Sequence, residues 1–423
     1  MPAIPRDDSF DSTLALLSDG YTFISKRCAR FQSDIFETRL MLRRAVCTMG
    51  EDAARMFFHP GRFTRRGAIP PTTLMLLQDL GSVQTLDGAA HQRRKQMFMP
   101  LLESPAVDGL AQAMIRHWRA QLAKWERQPQ VVLHSEVEEI LCRAVCEWAG
   151  IPLADPEARQ RAEEFSAMID GSGAIGPRNW KGQALRMRTE QWARGLITTA
   201  RSSRHAIPEG SMAHAIALHG DTDGKLLDAR TAAVELINVL RPTVAVARFI
   251  TFAALALHAY PDCRARLAAG EDGYAECFVQ EVRRFYPFFP LIAGHVLVPF
   301  EWRAHRFSEG DWVFLDMYGT NHDARIWDEP ETFRPERFRH WDQSPFNFIP
   351  QGGGDYLQGH RCPGERITIA LTREAVRMLV SEMRYDVPQQ DLQIDLSRMP
   401  AIPASRFVIS NVRRIEPVAR PAA

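Results

Sequence analysis

The 423-residue chain lacks several features that would narrow its class at once. Its seven cysteines are odd in number and scattered, at positions 28, 47, 142, 146, 263, 277 and 362. In a chain this large they exclude a disulfide scaffold and fit a reducing compartment, read here as the cytoplasm. Charge is not one-sided either. Lysine and arginine number 52 against 51 acidic residues, a net charge of +1, so a nucleic-acid partner is not expected. No repeat, low-complexity tract or Gly/Ser-rich linker divides the chain. The N-terminal stretch has no basic segment followed by an apolar one, so neither a signal peptide nor a membrane anchor is expected. The most apolar stretch, 232–259, is interrupted by Arg241, Pro242 and Arg248. That is too polar for a good lipid-spanning helix and reads as a buried one.

What is present is mostly helical periodicity. Apolar residues recur at helical spacing over 105–127, 134–148, 158–169 and 366–383. Strand-like stretches are fewer: 39–47, 292–300, 312–315 and 406–412, with a turn at 401–405 before the last. The expectation is a mainly α protein with a small β-rich region, residues 1–423 forming a single domain.

One loop stands out. Gly352, Gly353, Gly354 and Gly359 precede Cys362, and Gly364 follows it. Repeated glycine lets a backbone approach a flat ligand closely. Cys362-Pro363-Gly364-Glu365 then opens the helical pattern of 366–383. A thiolate there would lie near a helix N-terminus, which favours negative charge. Taken alone, the loop fits an axial iron ligand and a plain turn around a structural cysteine about equally well. The other six cysteines lack such a setting and are assigned to structure.

The loop Gly359-His360-Arg361-Cys362-Pro363-Gly364 resembles the cysteine-ligand loop of the cytochrome P-450 superfamily. Three further motifs agree with it in order. Glu281-Val282-Arg283-Arg284 is similar to the family's E-x-x-R helix. Phe333-Arg334-Pro335-Glu336-Arg337-Phe338 resembles the segment whose arginine joins that pair. His91, in Gly88-Ala89-Ala90-His91-Gln92-Arg93-Arg94-Lys95, lies in a stretch like the helix that binds a haem propionate. The resemblance implies the cytochrome P-450 fold and haem b, with Cys362 on the iron. His91, Lys95 and Arg361 would be further cofactor contacts, and Glu281, Arg284 and Arg337 a structural triad.

Departures from the family pattern sharpen the expectation. The long central helix has Arg241 and Pro242 where an acid–alcohol pair would stand. Neither Ile237, Asn238, Val244 nor Ala245 supplies a carboxylate one turn away, and Glu235 should face elsewhere. An arginine in an apolar helix is costly unless paired, so it invites an anionic ligand. The Arg-Pro pair resembles the fatty-acid peroxygenase branch. That likeness implies a hydrogen-peroxide-dependent hydroxylase acting on long-chain fatty acids at C2, C3 or both, with minor decarboxylation and no redox partner. Arg241 would bind the substrate carboxylate, Pro242 would shape the helix, and Gln84 would stand where some decarboxylating members carry histidine. Phe288, Phe289 and Leu291 would line the acyl channel, although such residues are equally at home in a core. The segment 351–357 resembles an insertion, with Asp355 replacing a phenylalanine, and His295 stands near a basic propionate partner of relatives. A reductase-dependent haem monooxygenase and a non-catalytic haem- or fatty-acid-binding protein are the alternatives. The oligomeric state is left open.

Overall fold

The computed structural model describes residues 4–79, 81–203 and 207–415. Residues 1–3 of the N-terminal stretch lie outside it. Helices dominate, the longest being Pro177–Ser202 and Ser104–Trp125. They enclose a core that includes the fully buried Trp118 and Trp125, whose rings meet edge to face at 5.6 Å.

The stretch 229–259 is two helices, Ala229–Ala245 and Ala247–Ala259, separated at Val246. Pro242 lies inside the first and removes one amide donor from its ladder. Asp228 starts this helix by accepting the amides of Arg230 and Thr231, each at 3.0 Å. By length and composition the pair could cross a membrane, but 89% of its most apolar window is buried inside the protein. The expected core helix is what the structure contains.

The β region is small. One five-stranded sheet runs in the order Ile35–Leu40, Arg43–Thr48, Trp312–Asp316, Leu291–Val296, Phe63–Thr64. A three-stranded sheet joins Gln130–Val132, Val408–Arg414 and Met383–Asp386. The single strand expected over 39–47 is a hairpin: the strands Ile35–Leu40 and Arg43–Thr48 meet in a turn at Met41 and Leu42. Met41 and Leu42 both take left-handed backbone, with φ of 50° and 59°. Apolar residues rarely signal such a turn. Their amides are held by Thr13 Oγ1 and Asp11 Oδ2, both at 2.6 Å. The helix expected over 366–383 is Glu365–Arg377, closed by a wider π-helical turn, Met378–Glu382.

Asp316 ends its strand fully inside the protein and caps the next turn, accepting the Gly319 amide at 2.6 Å. Burial raises its carboxyl to about 7. The native state thus keeps a proton that the unfolded chain releases near pH ~4. Stability should therefore fall as pH rises from about 4 to about 7. Asp316→Asn keeps an acceptor for Gly319 and removes this titration. Urea midpoints of wild type and variant should diverge across that interval, the wild type losing ground. Parallel curves would refute the assignment.

Candidate active site

Cys362 is half-buried, whereas the other six cysteines are buried. Its carbonyl accepts the Glu365 amide at 3.4 Å, so the residue sits at the entrance of the helix Glu365–Arg377. Burial pushes its thiol up, and the Gly364 amide, Lys95 and Arg283 pull it back towards thiolate. The 351–357 segment braces this loop. Tyr356 donates its hydroxyl to the Pro363 carbonyl at 2.8 Å. Asp355 accepts the amides of Leu357 and Gln358, at 2.7 and 2.8 Å, and its carbonyl accepts that of Gly359. The replaced phenylalanine has thus become a turn-former.

Behind the thiol lies a chain of polar contacts that sequence reading did not find. Gln351 Nε2 lies 3.8 Å from Cys362 Sγ and donates to Thr368 Oγ1 at 3.0 Å. Arg283 donates to Gln351 Oε1 at 3.1 Å and pairs with Glu365. Arg361 turns its side chain to Glu365 as well, at 2.7 Å. The expected triad is assembled nearby. Arg284 grips Glu281 through two bonds of 2.7 and 2.8 Å, and Arg337 reaches Glu281 Oε1 at 3.2 Å. Glu281 and Arg284 are wholly buried.

Arg241 is buried on the helix Ala229–Ala245. Among the described residues it forms no ion pair with a carboxylate. It donates to the carbonyls of Leu76, at 2.9 Å, and Leu77, the last residues of the helix Pro71–Leu77, and to Asn238 Oδ1 at 3.3 Å. Burial, then repulsion from Arg186, pulls its guanidinium down to about 9. Asn238 Nδ2 in turn donates to Gln84 Oε1 at 3.4 Å and to the Gln78 carbonyl at 3.1 Å. Glu235 faces elsewhere, as expected. It accepts the Val83 amide and Arg94, both at 2.8 Å. Glu235, Asn238 and Arg241 recur every third residue, so successive side chains of this helix hold residues 76–78 and 83–84. Asn238 was passed over because it carries no charge; its spacing between Glu235 and Arg241 was the available signal. Phe288 stacks on Phe249 at 4.3 Å, and Phe289 stands perpendicular to it at 4.9 Å. Leu291 is half-buried and packs against a separate apolar cluster of the sheet region.

A family model described as Cytochrome P-450 matches residues 273–407. A solved variant of cytochrome P450SP alpha (CYP152B1) is 48% identical, with a TM-score of 0.93 over 96% of this chain and 99% of that one. The chain belongs to the cytochrome P-450 superfamily. It falls in the fatty-acid peroxygenase branch of that superfamily. Cytochrome P450EX alpha (CYP152N1), solved with myristic acid, is 41% identical over 98% of this chain and 100% of that one, with a TM-score of 0.94. A variant of cytochrome P-450 OleT, in complex with arachidonic acid, is 33% identical over 99% and 100%, with a TM-score of 0.95. Among curated relatives, a methyl-branched lipid omega-hydroxylase of Mycobacterium tuberculosis is 25% identical over 85% of this chain and 81% of its own length. The similarity to cytochrome P-450 71D18 of Mentha gracilis, 27% identical, spans 30% of this chain and about a quarter (26%) of that relative.

The cofactor of this P-450 is haem b, and the residues present fit it. Lys95, which acts on the thiol, belongs to a group of four basic side chains with Arg65, His91 and His360. The rings of His91 and His360 approach to 4.0 Å. Lys95 donates to the carbonyls of Gly359 and Arg361, at 2.5 and 3.1 Å. Burial first, and mutual repulsion with it, lowers His91 to about 4 and Lys95 to about 8 and depresses His360 further. Burial also lowers Arg65, to about 10. Asp87 and Asp355 only partly offset this concentration of positive charge. Two further carboxylates, such as the propionates of haem, would complete it. Arg65 was not anticipated. His295, on the strand paired with Thr64, stacks on Trp312 and points its Nε2 at the Gly67 carbonyl, 3.3 Å away. It is not among the charges acting on the cluster, and Arg65 is. Arg65→Met should speed haem loss to excess apomyoglobin by roughly tenfold, one charge-assisted bond's worth, and His295→Ala should leave it nearly unchanged. The reverse order would reassign the propionate contact.

Proposed function

We propose that this P-450 hydroxylates long-chain fatty acids with hydrogen peroxide, holding the substrate carboxylate on Arg241 and exposing C2 and C3 to the oxidant. One observation carries this reading: a buried guanidinium that lacks an acid in the helix where an acid–alcohol pair would stand. Its three hydrogen bonds leave two of five N–H groups for a ligand. A carboxylate there would gain charge-assisted bonds and relieve the repulsion from Arg186.

Haem bound at Cys362 supplies the oxidising chemistry from peroxide. The chain supplies orientation. Arg241 fixes the head group, so the carbons nearest it are the ones presented. The substrate carboxylate stands in for the missing protein acid and can hold the proton that peroxide cleavage moves. Gln84, tied to Asn238, is an amide and cannot exchange a proton as histidine does. That favours hydroxylation over decarboxylation. Pro242 interrupts the amide ladder beside Arg241, and Phe288 with Phe289 offers an apolar wall for the chain, which Leu291, packed on the separate sheet cluster, does not share. Each methylene buried there contributes about 0.8 kcal/mol. A redox partner is not required, the protein acts as one haem domain, and the free thiols fit the cytoplasm.

Arg241→Ala should lower peroxide-driven turnover of myristic acid at least about a hundredfold, the worth of a lost charge-assisted contact in the transition state, with haem still bound. Mass spectrometry of the wild-type products should show 2- and 3-hydroxy acids with few terminal alkenes. Turnover that ignored peroxide and needed an electron donor would instead identify a reductase-dependent monooxygenase. Undiminished activity in the variant would sink the carboxylate role.

A further inference from the structure

Arg241 is only as well placed as the backbone that holds it. Two of its three partners are the carbonyls of Leu76 and Leu77, at the end of a seven-residue helix. A helix this short does not hold its own last turn. What fixes that turn is the residue two positions on. Asp79 is wholly buried and takes left-handed backbone, with φ of 76°. For a residue other than glycine this costs about 1 kcal/mol and persists only where the surroundings impose it. The Asp79 amide closes the turn onto the Leu74 carbonyl at 2.8 Å, and its carbonyl accepts the Ser82 hydroxyl at 2.9 Å. Its carboxylate meets Arg186 Nη2 at 3.3 Å and lies 3.9 Å from the exposed Arg230.

Arg186 projects from the helix Pro177–Ser202 and is itself buried. Its Nε and Nη1 have no hydrogen-bond partner among the described residues. Keeping a guanidinium buried with donors unused is costly. Shape alone does not demand it, since a methionine would fill similar space without that cost. Arg186 is also the one charged group that burdens Arg241.

We infer that Arg186 and Asp79 form a clamp that positions Arg241: they lock the 76–79 turn, whose carbonyls aim the guanidinium at the substrate carboxylate. This deepens the proposed function and rests on Arg241 as the carboxylate anchor. Asp79 and Arg186 are positioning residues, acting through the turn without touching substrate. The consequence is specificity. A guanidinium held by a fixed turn presents a fixed pair of carbons. A loosened one lets the head group wander and oxidation spread along the chain.

The sign of one substitution separates the clamp from bulk electrostatics. Asp79→Asn removes a negative charge beside two guanidinium groups. If charge alone mattered, the myristate anion would bind more tightly. The clamp requires the opposite. In calorimetric titrations of the haem-loaded holoenzyme with myristate, without peroxide, affinity should drop by about tenfold. In turnover, the combined share of C2 and C3 products should fall as later positions appear. Arg186→Met should behave alike, and Arg186→Lys, which keeps the ion pair, should recover most of the product pattern. Unchanged haem content and thiolate absorption of the ferrous–CO complex would exclude general unfolding. Tighter binding in Asp79→Asn, or wild-type affinity and product pattern in both Asp79→Asn and Arg186→Met, overturns the clamp. Should Asp79→Asn fail to bind haem, the Arg186→Met and Arg186→Lys pair decides the question. Arg241→Ala is the control for the underlying reading. Wild-type myristate affinity in that variant removes the anchor and the clamp together, whereas loss of affinity there with none in the clamp variants removes the clamp alone.

Discussion

A buried positive charge without a carboxylate is the constraint around which this side of the molecule is arranged. Arg241 lies in the middle of a helix with apolar neighbours, where an unpaired guanidinium would be expelled. It stays because the end of the helix Pro71–Leu77 lies against it and offers carbonyl oxygens. Carbonyls satisfy hydrogen bonds but do not neutralise charge. The site is therefore only partly satisfied in hydrogen bonds and electrically short by one anion. Glu235 and Asn238 extend the same stitching to Val83 and Gln84, so the residues facing the anion are set by one helix.

The thiolate side shows the same imbalance at larger scale. Arg65, His91, Lys95 and His360 crowd together and repel one another. Other arginines of the chain are given a carboxylate: Arg284 and Arg337 meet Glu281, Arg283 and Arg361 meet Glu365, and Arg94 meets Glu235. Breaking such a buried pair typically costs about 3–5 kcal/mol. Both excesses of positive charge thus suit a carboxylate-bearing molecule, the cofactor at one and, in the function proposed above, the substrate at the other. The positive charges left uncompensated mark the ligands.

Local chemistry was legible in the sequence, and long-range pairing was not. The buried helix around Arg241 could be read from its apolar run, while Cys362 and the Glu281–Arg284–Arg337 triad became legible only through the family resemblance, once four short motifs agreed in order. That Glu235 does not meet Arg241 followed from helical periodicity. Arg65 could not be found this way. It adjoins a two-residue strand, and only the pairing of that strand with the one bearing His295 brings it beside the cluster. His295 looked suitable from the same neighbourhood but stacks on Trp312. Gln351 and Asn238 are amides, which carry no distinctive pattern, and they matter through partners far away in sequence. The Met41–Leu42 turn hid in an apolar run because its left-handed backbone is stabilised by side chains some thirty residues upstream.

The continuous apolar stretch of 229–259 provides its own control. It buries two arginines seven positions apart, Arg241 and Arg248. Arg248 has been given an acid: Asp170 meets it, and Arg406 shares that carboxylate at 2.8 Å. The core could therefore accommodate a carboxylate for an arginine on these helices, and it did so six residues past Pro242, just beyond the break at Val246. At Arg241 it placed carbonyls instead, with a second cation, Arg186, nearby. Two buried guanidinium groups in one stretch, one neutralised and one not, make a general tolerance of buried charge an insufficient explanation. The difference is local, and a site that reserves two N–H groups and a net positive charge for a carboxylate from outside accounts for it.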